Sequence, residues 1–222
     1  MGASTRSEGA KTRTLTKPEL QKIFDDFYRE VKHVGLNDYE KRKSISVLSK
    51  GTQMLILSDK GLCSWKDPFG IGPVHDLARW GLPSVQLRIF SDRAAYDTAE
   101  FKSVWGTPID LLALYGSKEV LKRFLVRSRS AELALLRGDG STLGHRISIQ
   151  INADNYKMFL RLPRPVLASQ NAKGESMIRR MHDCADGEVQ NRIYEWDPLW
   201  NRMKPEVKMV ASVTGPLDHR KP

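Results

Sequence analysis

Gly72-Pro73-Val74-His75, Thr107-Pro108-Ile109-Asp110 and Thr142-Leu143-Gly144-His145 recur at intervals of thirty-five residues, and this spacing decides the reading of the fold. A fixed period of this size marks a chain built by stacking similar units. Three positions beyond the end of each segment stand Ala78, Ala113 and Ser148, small enough for one helix to pack closely on the next. Gly81 and Gly116 follow at the same offset in the first two units, where a left-handed glycine is expected to end a helix. A second apolar stretch comes after each: Val85, Leu87, Ile89 and Phe90; Val120, Leu121, Phe124 and Leu125; Tyr156, Met158, Phe159 and Leu160. Each unit therefore reads as turn, helix, turn, helix.

The motif resembles the Thr-Pro-Leu-His turn of the ankyrin-repeat family, which opens the first of two antiparallel helices. Thr can cap the helix, Pro fits its first turn without losing a needed donor, and His can bond to neighbouring turns. Unit two keeps Thr107 and Pro108 but carries Asp110 for His. Unit one keeps Pro73 and His75 but has Gly72 for Thr, and unit three keeps Thr142 and His145 but lacks the Pro and has Ile151 for the helix-ending Gly. A fourth, divergent unit is expected between Met177 and Trp196, with Gly187 near the phase and charged Arg179, Arg180, Asp183 and Asp186 suiting a terminal cap.

Ahead of the units, Thr16-Lys17-Pro18-Glu19 reads as a capping box. Leu20, Ile23, Phe24, Phe27 and Val31 then fall at helical spacing, opposite Lys22, Asp25, Arg29 and Glu30. A second helix is expected to start at Asn37 or Asp38, run through Ile45, Val47 and Leu48, and stop at Gly51 before an apolar stretch from Met54 to Leu57. The expected fold is mainly α: an ankyrin-like helical repeat stack of three to four helix-turn-helix units with an N-terminal helical cap and disordered tails. Its divisions are a basic tail 1–15, a cap 16–60, repeats 61–200 with units near 70–100, 105–135, 140–165 and 174–200, and a C-terminal tail 201–222.

The chain has 222 residues, a net charge of +10 and a hydrophobic content of 40%, with a pI near 9.7. Residues 1–17 and 201–222 each carry +3, so the body between them keeps only +4. Within it, basic residues cluster at Lys41-Arg42-Lys43, Lys122-Arg123 with Arg127 and Arg129, Arg161 with Arg164, and Arg179-Arg180. An acidic protein surface is the favoured partner and nucleic acid the alternative, since aromatic residues do not alternate with the basic ones. No apolar run reaches the roughly twenty residues that cross a membrane. The opening Met-Gly-Ala-Ser-Thr-Arg fails as a myristoylation signal at Arg6, and no secretion signal is read. A cytoplasmic protein with Cys63 and Cys184 as separate reduced thiols is expected.

Catalytic, metal-binding and cofactor sites are expected to be absent. His182-Asp183-Cys184 sets an acid, a base and a thiol side by side, yet adjacent helix residues point apart, so an enzyme centred on His182 and Cys184 is a remote alternative. Gly138-Asp139-Gly140 reads as a turn, lacking the Lys-Ser/Thr of a phosphate loop. His75 and His145 read as turn residues without metal-ligand spacing around them. The ankyrin resemblance implies a binding protein, an adaptor or inhibitor, and short basic members of this kind resemble effectors and counter-defence factors. It places Asp76, Arg79, Trp80, Leu111, Leu114, Tyr115, Arg146, Ile149 and Gln150 on an exposed concave face. It assigns Asp92, Arg93, Tyr96, Asp97, Arg127, Arg129 and Glu132 to projecting finger loops. Trp80, Tyr115 and the arginines stand out because such side chains dominate interface energetics; packing of Trp80 and Tyr115 against a neighbouring unit is the competing reading.

Overall fold

Four glycines punctuate the fold. In the computed structural model, which describes residues 15–22 and 42–196, Gly70, Gly106, Gly140 and Gly174 have φ of 76°, 93°, 77° and 76°. Glycine enters this left-handed region far more cheaply than other residues. Their N–H groups donate at 2.9–3.0 Å to the carbonyls of Asp67, Ser103, Arg137 and Asn171, making four tight turns that we number 1 to 4. Each turn leads into a pair of helices: α1 (Pro73–Trp80) and α2 (Pro83–Ser91), α3 (Pro108–Tyr115) and α4 (Lys118–Arg127), α5 (Leu143–Ser148) and α6 (Tyr156–Phe159), then α7 (Met177–Cys184) and α8 (Gly187–Trp196).

The first helices begin where local chemistry dictates. Thr107, Thr142 and Ser176 accept the N–H of Asp110, His145 and Arg179 through their side-chain oxygens, and Pro73 and Pro108 occupy first-turn positions that need no donor. Ser176 thus caps α7 as Thr107 and Thr142 cap α3 and α5, and Gly187 opens α8. Gly81 and Gly116 do end α1 and α3, but with φ of −65° and −61°, in extended backbone. Their need for glycine is steric, because a Cβ would lie 2.4 Å from the carbonyl oxygen of Leu77 or Leu112. The left-handed glycines expected at the helix ends stand instead in the turns before the caps.

Helices α1, α3, α5 and α7 pack successively in one row, and α2, α4 and α6 in a second. Ala78, Ala113 and Ser148 are fully buried between members of the first row. Val85, Ile89, Phe124 and Phe159 fill the second, where Phe90 meets Phe124 edge-on with ring centroids 4.8 Å apart. The protein is mainly α-helical; among the described residues the only β pairing is three isolated bridges. No described helix is long and apolar enough to cross a membrane.

The N-terminal segment joins the same core. Thr16 and Glu19 make the expected capping contact at 2.8 Å, Leu20 is fully buried, and the Leu15 N–H reaches Thr52 Oγ1 at 2.9 Å. Ile23, Phe24, Phe27 and Val31, the helix start at Asn37 or Asp38, and the tails 1–14 and 197–222 lie outside the described residues. The expected helix through Ile45 to Gly51 is instead a 3-10 turn at Ser44–Val47 followed by a new helix, Lys50–Ser58, capped by Ser49. Gly51 lies in its first turn and does not terminate a helix. Gln53 in that helix donates to the Leu48 carbonyl at 2.9 Å and accepts the Leu82 N–H at 3.0 Å. Gln86 does the same in α2, donating to Ala78 and accepting from Ser117. The segment before unit one therefore docks on α1 and α2 with the same side-chain clamp that α2 uses toward unit two.

His75 and His145 each tie a helix start to the following unit. The Gly72 N–H donates to His75 Nδ1 at 3.1 Å, so Nε2 carries the proton and donates to the Phe101 carbonyl at 2.8 Å. His145 Nε2 meets the Glu175 carbonyl at 2.8 Å. Burial pushes the His75 pKa down to about 4 from 6.5, against the opposing pull of its backbone bonds. Below pH 6.5 the unfolded chain takes up a proton that the native ring refuses. Stability is therefore full above pH 6.5 and falls as pH drops toward 4, by about 3 kcal/mol for this residue. Urea denaturation between pH 7.5 and 4.5 should show this slope, and His75→Gln should flatten it.

Candidate functional site

Turn 2 is one residue shorter than the others. One residue separates the glycine from the cap in turns 1, 3 and 4, and Asp67, Arg137 and Asn171 donate their N–H to the carbonyls of Ile71, Ser141 and Glu175. In turn 2 Gly106 precedes Thr107 directly, and Ser103 donates to Gly106 itself at 3.0 Å. Neighbouring turns are joined elsewhere by a backbone bond: Val104 to the Phe69 carbonyl at 3.2 Å, and Ala172 to the Gly140 carbonyl at 2.7 Å. Among the described residues no such bond joins turns 2 and 3. A groove of about 490 Å³ opens at that junction. Val104 and Leu136 form its apolar walls with Trp105, and the two aliphatic side chains are 60% and 53% exposed.

Charged residues hold the groove's base together. Arg137 grips Asp97 with two parallel bonds of 2.8 and 2.9 Å, and Thr107 donates to the same carboxylate. Asp110 stands where units one and three carry histidine; it accepts the Thr107 N–H at 2.9 Å and faces Arg137 at 3.4 Å and Arg146 at 3.5 Å. The histidine's hydrogen bond between units is thus replaced by an ion-pair bridge between units two and three. Arg146 continues to Asp139 at 2.9 Å. Burial raises the Asp139 carboxyl, but bonds from the Ser141 hydroxyl and amide and the Arg146 charge outweigh it and leave its pKa below the ordinary value.

Beside the groove, Trp105 belongs to an aromatic shoulder. The Arg79 guanidinium lies 4.7, 5.1 and 4.4 Å from the ring centroids of Trp80, Trp105 and Tyr115, and Trp80 meets Trp105 edge-on at 6.3 Å. Stacking of this kind fixes the long Arg79 side chain in place. Tyr115 is 45% exposed, whereas Trp80 is half-buried and packs on the core. Replacing Arg79 and Trp80 together therefore cannot separate binding from stability.

Several expected surface residues are placed differently. Asp76, Leu111 and Arg146 are buried: Asp76 faces Arg42, Arg146 joins the Asp110 network, and Leu111 lies in the core. Gln150 spends its amide on the Ala113 carbonyl at 2.7 Å, joining two units. Arg93 pairs with Glu132 at 2.8 Å, Tyr96 is buried, and Arg127 and Arg129 are exposed at the end of α4 and just after it. These three arginines therefore precede the turns and do not sit on their tips. Val104, Trp105, Leu136 and Lys102 were not read from the sequence; the signal for them was Gly106 standing directly against Thr107.

His182 contacts Asp183 at 3.3 Å and the Tyr194 ring at 4.5 Å. Burial pushes the Cys184 thiol up, the opposite of what an attacking thiolate needs. Among the described residues no three His, Cys, Asp or Glu side chains gather as a metal site. No family model matches the chain, and no curated protein matches its sequence.

Proposed function

We propose that the chain is a degenerate ankyrin-like repeat protein that acts by binding, as an adaptor or inhibitor seated on a target protein. The ordered rows of paired helices, the four glycine turns and the caps at Gly72, Thr107, Thr142 and Ser176 support the architecture. One observation carries the binding reading: apolar Val104 and Leu136 face solvent across a groove that runs through Trp105 into the Arg79 and Tyr115 shoulder. Core-type side chains held at the surface in and beside hydrogen-bonded turns suit a partner's apolar anchor residue. Lys102 on the groove's lining and Arg79 on its shoulder favour a partner segment that flanks this anchor with carboxylates.

Affinity capture with the full chain as bait tests this. A single protein recovered in stoichiometric amount, unaffected by nuclease and displaced by excess free chain, is the expected result. Recovery that disappears with nuclease, or that never saturates, would contradict it.

A further inference from the structure

The second helix row carries a different surface. Residues 118–134 and 152–167 contain eight Lys and Arg against three Asp and Glu. Two of the three acids are already engaged, Asp154 with Lys118 and Glu132 with Arg93. Lys122, Arg127, Arg129, Lys157, Arg161 and Arg164 are all exposed, and none of them makes an ion pair among the described residues. They are neighbours in space, because α6 packs on α4 and the short helix Arg164–Leu167 packs on Ser130–Ala134. None of the six lines the groove.

We propose that this patch docks the phosphate backbone of a nucleic-acid duplex. Protein interfaces are built around an apolar core, and the one large apolar side chain strongly exposed in these two segments is Val126, at 66%. Membrane-surface helices need aromatic and leucine side chains on the buried face, and single strands need exposed aromatic platforms; within residues 118–134 and 152–167 Tyr156, half-buried, is the only aromatic residue that is not fully buried. A surface that offers six exposed cations, with Val126 and, at its edge, Leu135 as its strongly exposed large apolar side chains, suits a ligand recognised mainly by charge. Four of the six cations are arginines, whose planar fork matches phosphate oxygens. Five residues from Lys122 to Arg127 span about 7.5 Å along α4, and adjacent helices stand about 10 Å apart. The patch thus meets several phosphates of a duplex at once.

Fluorescence anisotropy of the full chain with a labelled 20-base-pair DNA of arbitrary sequence tests the proposal. Binding should weaken with KCl along a log–log slope of about −4, as expected when four to five phosphates are neutralised. A variant with Arg127, Arg129, Arg161 and Arg164 all replaced by alanine should bind at least about tenfold more weakly, with the slope reduced in magnitude by about 3. The same four positions changed to lysine should retain most of the binding, and Val104→Asp with Leu136→Asp should leave it intact. Unchanged binding by the alanine variant would assign the affinity to the basic tails and overturn the proposal. So would no binding at 50 mM salt, or capture by phosphatidylserine vesicles without capture by the duplex.

Discussion

Arg42→Met is expected to destabilise the protein by about 3–5 kcal/mol, lowering the melting temperature by roughly 10 °C. Arg42 is only 3% exposed. It forms a close ion pair with Asp67, faces Asp76 at 3.3 Å and lies 5.5 Å from the Trp105 ring centroid. The other Asp67 oxygen accepts the N–H groups of Phe69 and Ile71 at 2.8 and 2.9 Å, shaping turn 1. Methionine would keep the apolar volume while removing the guanidinium that both buried carboxylates face. Most of the cost is therefore electrostatic, since two buried carboxylates lose this guanidinium, and Asp76→Asn in the Arg42→Met background should recover part of it. Thermal and urea denaturation of the single and double variants measure this directly. A loss under about 0.5 kcal/mol would mean that the segment before Ser44 does not hold unit one in place.

The second large effect concerns binding. Val104→Asp combined with Leu136→Asp should weaken association with the captured partner by at least about 100-fold, given about 2 kcal/mol for each anchor residue at an interface centre. Both side chains are more than half exposed, so the melting temperature should shift by no more than about 2 °C. Titration calorimetry of the purified pair, beside thermal melts of the free variants, separates the two quantities. Unchanged affinity would move the site off the groove.

The helical class and the helix starts were legible because capping and close packing are local demands: a hydroxyl before a helix, a proline in its first turn, a small residue between helices. Ser176 carries no Thr-Pro signature because a hydroxyl alone suffices to cap α7. The turn glycines are equally quiet in the sequence. The spacing marks Gly81 and Gly116 as left-handed helix ends, whereas the left-handed positions stand one or two residues before each cap.

Exposure was harder to read than order. Asp76 and Arg146 look like surface residues in the sequence, and their partners lie far along the chain: Arg42 for the first, Asp110 and Asp139 for the second. Only the assembled fold brings those charges together and makes their burial tolerable. The groove itself arises from one missing residue between Gly106 and Thr107, visible in the sequence once the four turns are aligned. Its apolar walls gave no periodic signal, because Val104 lies in turn 2 and Leu136 just before turn 3, neither on a helix face.

Hydrogen–deuterium exchange of the chain alone and with its captured protein partner tests the binding claim most directly. The groove predicts new protection confined to residues 102–106 and 135–141, with a lesser effect at Arg79 and Tyr115. Protection falling instead on residues 118–129 and 157–164, with 102–106 and 135–141 unchanged, would contradict it.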